Sequence, residues 1–247
     1  MKIFKLSLFL GLSMLLLASC QKDVDNNNNT SNPPTVDANG NFRVSSDADG
    51  ACYVIKSRLY DDNSSPAYDE FQTAFAWFGS QTAFKPAGVV NVNNYELMFL
   101  SGVNYYTYVG FDTLVSSNAA TWTVEGNTSA GVPGFTHTDN TSFATGGTFV
   151  LPASVNINNA LTVSFAPISN VAGVVYTLQG NKGQKSKAVA NGASSVSFSP
   201  AELQEVAFPQ DAIAVHIMSV AYTVQTINGK KIYFVKQFQH SRETATL

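Results

Sequence analysis

The dipeptide Asn228-Gly229 lies between two runs rich in β-branched and aromatic residues, Val220 to Ile227 and Lys231 to Phe238. A type I′ turn needs positive φ at both central positions, and Asn-Gly meets that need at little steric cost. The spacing therefore predicts a two-residue hairpin that pairs Tyr222 with Val235 and Val224 with Tyr233 on one face. Upstream the apolar phase shifts. Ile213, Val215 and Ile217 occupy odd positions, whereas Met218, Val220, Tyr222 and Val224 occupy even ones. Successive strand side chains point to opposite faces, so the shift predicts a β-bulge or bend near Ser219.

The rest of the chain repeats this pattern in shorter form. Strands are expected over Ala51 to Leu59, Phe71 to Phe78, Gly88 to Val92, Tyr95 to Leu100, Tyr105 to Val109 and Thr121 to Glu125. Leu161 to Phe165, Val174 to Leu178 and Val196 to Phe198 continue the series. Charged residues make up only 13% and aromatics 12%, a balance that suits pleated, half-buried surface. Ser199-Pro200-Ala201-Glu202 reads as a capping box with proline at the first helical position, opening one short helix over Leu203 and Val206. Regularly spaced short strands with turn signals between them indicate an antiparallel sandwich or barrel. Thr136 to Thr148, with Asp139-Asn140 and Gly146-Gly147, is the best boundary between halves. The expected fold class is all-β: two tandem antiparallel β-sandwich modules, immunoglobulin- or fibronectin-III-like, over residues 41–140 and 141–247.

The N-terminus carries a different signal. Lys2 and Lys5 precede an apolar run from Leu6 to Leu17, and Leu17-Ala18-Ser19-Cys20 ends it. This resembles the lipobox of bacterial lipoproteins, which implies a signal peptide over 1–19, cleavage before Cys20 and acylation of that cysteine. Spanning a bilayer takes about 20 apolar residues, and this run is shorter and broken by Ser7 and Ser13. Lipid at Cys20 implies a membrane partner, each buried CH2 adding about 0.8 kcal/mol of anchoring. Gln21-Lys22-Asp23-Val24-Asp25 is similar to signals that send Bacteroidota lipoproteins to the outer face of the outer membrane. Residues 20–40, rich in Asn, Thr, Ser and Pro, read as a disordered tether.

Charge excludes one class of partner. Without Lys2 and Lys5 the 14 basic residues fall by two, leaving a net of about −5 against 17 acidic ones. No basic cluster is present to hold phosphates, so nucleic acid is excluded. If Cys20 carries lipid, Cys52 has no intramolecular partner, and its strand-like setting reads as a buried small hydrophobe. His137, His216 and His240 are scattered, and no Gly-x-Ser-x-Gly, His-Glu-x-x-His or paired Cys-x-x-Cys occurs. Asp37-Ala-Asn-Gly and Asp47-Ala-Asp-Gly lack the ligand alternation of a calcium loop and read as turns. Gly180-Asn-Lys-Gly-Gln-Lys-Ser186 reads as a lysine-bearing hairpin turn rather than a phosphate loop. Neither a metal nor a cofactor is expected.

Two sets of residues carry what functional signal there is. Asp61-Asp62 and Asp69-Glu70 flank one loop, and facing acids in a cleft would suit a glycoside hydrolase. Solvated loop acids are the plainer reading. Tyr105, Tyr106 and Tyr108 are candidate ligand-binding residues. Tyr106 and Tyr108 share one strand face and Tyr105 takes the other, so a ring is left outward for stacking on sugar unless another element covers it.

Several stretches together resemble a known group. They are Ala87-Gly88-Val89-Val90-Asn91-Val92-Asn93-Asn94, Trp122-Thr-Val-Glu-Gly126, Val132-Pro-Gly-Phe135, Ser197-Phe-Ser-Pro-Ala-Glu-Leu203 and Gly229-Lys-Lys-Ile-Tyr-Phe-Val235. In this order they resemble uncharacterised Bacteroidota outer-membrane and surface lipoproteins, over nearly all of residues 50 to 247. Asn94 departs from the pattern, standing where the glycine of an Asn-Gly turn is expected. The resemblance implies a β-sandwich on a lipid anchor and transfers no activity and no site residue. The expectation is a non-catalytic surface binding or adhesion module for glycan or protein. The alternative is a structural or accessory subunit of an outer-membrane assembly.

Overall fold

The structure, a computed structural model, describes residues 35–36, 42–60, 67–110, 113–145, 149–168, 171–189 and 192–247. Cys20, the leader, Asp37 and Asp61-Asp62 lie outside them. In chain order the strands begin with β1 (Thr35–Val36), β2 (Phe42–Arg43), β3 (Gly50–Tyr60), β4 (Tyr68–Ser80) and β5 (Ala83–Phe84). Next come β6 (Val90–Val92), β7 (Tyr95–Glu96), β8 (Met98–Leu100), β9 (Tyr105–Gly110), β10 (Ala120–Val124) and β11 (Phe135–Asp139). The second half holds β12 (Ser154–Val155), β13 (Leu161–Ser164), β14 (Gly173–Gly180), β15 (Gly183–Val189) and β16 (Ser195–Phe198). It closes with helix α1 (Pro200–Val206), β17 (Ala212–Ile227) and β18 (Lys230–Thr246).

Asn228 and Gly229 have φ of 50° and 77° and turn β17 into β18. Tyr222 faces Val235 and Val224 faces Tyr233, the expected pairs. The expected bulge near Ser219 is absent: the register runs one for one from Ala212–Ala245 to Ile227–Lys230. The phase shift has another cause. Ile213, Val215 and Ile217 enter a core on one face of the sheet, while Met218 and Val220 enter a different core on the other. The strand keeps its register and changes which face it buries.

The main sheet runs β15-β14-β17-β18-β3-β4-β9-β8. Neighbours along this path are antiparallel except β18 and β3, which pair in parallel from Ile232–Gly50 to Ser241–Leu59; off the path, the short β12 also pairs with β18 in parallel. Strands from both halves of the chain therefore share one sheet. Residues opposite one another across a ladder share a face, so the register assigns two faces. On the front, Cys52, Val54, Ala76, Phe78 and Phe234 meet Val90, Val92, Trp122 and Val124 of a smaller sheet ordered β11-β10-β6-β7. Farther along the same face, Tyr176, Leu178, Ile213 and Val215 lie under the β13–β16 pair and Leu203 and Val206 of α1. On the back, Tyr53, Trp77, Tyr105, Val220 and Tyr233 are capped by Val44 and Ala48, with Phe42 of β2 against them. The result is mostly β, in sandwich-like layers.

Local chemistry explains the details. Ser199 Oγ accepts from Glu202 N at 3.3 Å and Glu202 Oε2 accepts from Ser199 N at 2.8 Å, the expected capping box. After Val92, Asn93 takes the positive φ, at 52°, and its Oδ1 accepts from Thr121 N at 2.9 Å. That side-chain bond supports the turn in which a glycine was expected. Two stretches depart from expectation. Thr35–Val36, inside the expected tether, pairs with Phe42–Arg43, as suits β-branched residues. Phe135–Asp139, which overlaps the start of the expected boundary stretch Thr136 to Thr148, is the edge strand β11, its polar residues alternating outward.

Candidate functional site

The tyrosines sit inside the layers. Tyr106 is 1% exposed, its ring 4.8 Å from that of Phe99, and its hydroxyl accepts from Ala87 N at 2.6 Å. Burial raises its pKa. Tyr105 stacks on Phe75 at 5.6 Å in the back core. Tyr108, half-buried, meets Tyr95 edge-on at 5.4 Å. The small sheet covers one face of β9 and the back core the other, so the outward ring is absent. The acids do not converge either. Asp69 and Glu70 take opposite faces of β4, and Glu70 pairs with Arg58 at 2.9 Å and Lys56 at 3.5 Å, which lowers its pKa against the opposing effect of burial.

The histidines and Cys52 are placed by packing. His216 Nδ1 lies 2.7 Å from Ser241 Oγ, and burial lowers the imidazole pKa to about 4. His240 Nδ1 lies 3.1 Å from Tyr60 Oη, and burial, then Arg58 and Arg242, lowers its pKa to about 4. His137 lies against the Phe234 ring at 4.2 Å. Cys52 is a free thiol inside the front core, its pKa raised by burial. Among the described residues no group of three or more His, Cys, Asp or Glu side chains is placed to hold a metal ion.

What the structure does bring together is a groove at one end of the main sheet. Four turns meet there: residues 46–49 before β3, the β4–β5 turn, the β10–β11 loop and the hairpin tip at 228–231. The first hollow has a volume of about 390 Å3 and is lined by Ser46, Asp47, Ser80, Lys85, Val132 and Lys230 among others. A second, of about 420 Å3, adjoins it along Gly131, Val132, Pro133 and Lys230 and reaches Asn127, Thr128 and Asn228.

Its walls are held by their own bonds. Asp49 clamps the hairpin: its Oδ1 pairs with Lys230 Nζ at 3.1 Å and its Oδ2 accepts from Lys231 N at 3.0 Å. Its backbone carbonyl accepts from Gly79 N at 2.8 Å. Asp47 pairs with Lys231 Nζ, which lowers the Asp47 pKa and raises that of Lys231. Asn127 N and Val132 N each bond the other residue's carbonyl, at 2.8 and 3.0 Å, closing the β10–β11 loop. Gly126, at φ 89°, lets the chain pass so close to Gly134 that a Cβ there would meet Gly134 N at 2.3 Å. The groove is thus pre-formed, with ammonium and carboxylate groups on its rim and Val132, Pro133 and Ile232 among its apolar lining.

Two of the turns, at Asp47 to Gly50 and at Asn228-Gly229, were visible in the sequence as turns. Their convergence was not, because it depends on β18 lying beside β3.

No family model matches the sequence, and no curated protein matches it. Among solved structures, the chain is similar to the FN1–FN3 domains of chicken CNTN1. The match has 9% sequence identity and a TM-score of 0.23, and covers 69% of this chain and 62% of that one. The chain thus spans less than two thirds of that neighbour's length. No helix among the described residues is long and apolar enough to cross a membrane.

Proposed function

We propose that this chain is a lipid-anchored, non-catalytic binding module of the bacterial outer membrane, presented at the cell surface and gripping its ligand in the loop-end groove. The observation that carries the reading is the convergence of four cross-braced turns on one hollow with both signs of charge on its rim. Binding sites on β-sandwiches favour such loop ends, because a rigid scaffold positions variable turns. The leader with Lys2, Lys5 and Leu17-Ala18-Ser19-Cys20 supports the anchor, and Gln21 to Asp25 supports the outer face. The finer fold expectation, two tandem immunoglobulin- or fibronectin-III-like modules over 41–140 and 141–247, is not part of this reading, because β3 and β18 of the two halves pair in one sheet.

The test is binding of the full-length chain, in mild detergent, to a broad glycan array with and without calcium. Ser46→Trp, which fills the groove from an exposed position, abolishes the strongest signals on this reading. Binding that survives Ser46→Trp, or an array without signal, refutes it.

The exposed apolar edge at β8 favours a second reading, an accessory subunit of an envelope assembly. Met98 is 62% exposed and Phe99 39%, and an edge strand of that kind invites pairing. Capture of one stoichiometric envelope protein, lost in Met98→Lys, is the outcome that selects it.

A further inference from the structure

We propose that the groove takes an anionic saccharide, and that Lys85 is the residue that meets its carboxylate. The inference rests on the binding reading above and narrows it to a chemical class.

Three cations stand at the groove, and two are matched: Lys230 by Asp49 at 3.1 Å and Lys231 by Asp47. Lys85 is exposed and forms no ion pair with a described acid. Its stem lies over Gly79, where a Cβ would sit 3.0 Å from Lys85 Cγ, and its Nζ ends 4.0 Å from the Cβ position of Gly131. The side chain therefore spans the hollow from the β4–β5 turn to the β10–β11 loop and presents its ammonium at the seam of the two hollows. Glu125, which lines the adjoining hollow, is engaged elsewhere, its Oε2 accepting from Val89 N at 2.8 Å.

The hollow is otherwise polar on this side: Asp47, its Oδ2 held by Lys231, lies in the same lining. A ligand that fits carries an anion for Lys85 and hydroxyl groups for the polar side chains around it. Ser46 and Ser80 line the same hollow, and Asn127, Thr128 and Asn228 the adjoining one, adding hydroxyl and amide groups along the groove. Pro133, half-buried beside the core residue Val132, offers a small apolar surface for a pyranose face. A peptide is a poorer fit, because no deep apolar socket opens for an anchoring side chain and the lining is turn backbone rather than a free strand edge.

The experiment compares oligogalacturonate, its methyl ester and maltooligosaccharide by calorimetric titration on the full-length chain in mild detergent, at low salt and at 0.5 M salt. The expected result is binding of the acid, weakened by salt, with the ester and the neutral sugar at least about tenfold weaker, the size of one charge-assisted hydrogen bond. Lys85→Gln removes that discrimination and Lys85→Arg retains it. Lys85 is exposed, so both variants keep the fold, which circular dichroism verifies. Equal binding of acid, ester and neutral sugar, unaltered by Lys85→Gln, overturns the assignment of Lys85 and leaves the groove reading standing. An acidic peptide that binds where no saccharide does also overturns it. Absence of binding by any saccharide refutes the anionic-sugar assignment and the glycan form of the proposed function together.

Discussion

The Lys236 side chain is fully buried on the front face of β18, facing Asp139, itself 2% exposed, at 3.3 Å. The ammonium donates to the carbonyls of Asp139 at 2.9 Å, Thr141 at 2.6 Å and Asn118. It thereby fastens the β11 end and the segment after it to the sheet. Lys236→Met keeps most of the stem volume and removes only the charge and its donors. Asp139 then keeps Thr141 N at 3.0 Å and Thr223 Oγ1 at 3.4 Å, which offset part of the loss but leave a buried charge uncompensated. Breaking one side of a buried pair costs about 3–5 kcal/mol, so we expect a loss of about 4 kcal/mol. For a chain of this size that lowers Tm by about 8–16 °C. Asp139→Asn added to Lys236→Met should restore about 1–2 kcal/mol by removing the stranded charge. Urea unfolding followed by Trp77 and Trp122 fluorescence measures both effects, and the double-mutant cycle isolates the pair. A Lys236→Met loss below about 1 kcal/mol, or a double variant worse than the sum of the singles, would refute the reasoning.

Three further outcomes follow from buried groups and from the shared sheet. His216 and His240 have pKa values lowered by burial from 6.5 to about 4. The unfolded chain takes up protons first, so their contribution is complete above pH 6.5 and lost as pH falls toward 4. The loss is at most about 3 kcal/mol each, and His240→Gln should flatten the urea midpoint against pH across that window. Residues 41–140 and 141–247 expressed separately should each lack a cooperative transition, because each leaves β3 or β18 without its partner; a sharp melt from either piece contradicts the shared sheet. Cys52 should resist thiol reagents in the native protein and react once urea exceeds the unfolding midpoint, since burial both shields it and disfavours the thiolate.

Local signals in the sequence were reliable where local chemistry decides. Asn228-Gly229 fixed its turn through positive φ, Ser199 to Glu202 fixed the helix start through reciprocal bonds, and the run at Ala51 to Leu59 became β3 within a residue at each end. What escaped was decided by partners distant in sequence. The odd-to-even shift along β17 looked like a bulge because a strand is expected to have one apolar face, whereas β17 serves cores on two. Tyr105 and Tyr106 looked available because nothing in their own strand reveals that covers lie on both sides. Phe135 to Asp139 looked like linker because an edge strand of a small sheet needs few apolar residues. Of the groove, only the turns at Asp47 to Gly50 and Asn228-Gly229 were legible, and as unrelated turns.

The parallel ladder between β3 and β18 also governs when the molecule can be completed. Asp49 and Lys231, bonded across the start of that ladder, are 182 residues apart in sequence. Synthesis at about 5–20 residues per second leaves an interval of about ten to forty seconds between them. Through it β3 and β4 exist as a hairpin whose inner edge is unpaired and whose two faces are apolar. Closure over so long a loop makes folding slow and keeps that edge open to wrong partners. A product halted before residue 230 therefore presents an unpaired strand edge, open to wrong partners, rather than a completed sheet.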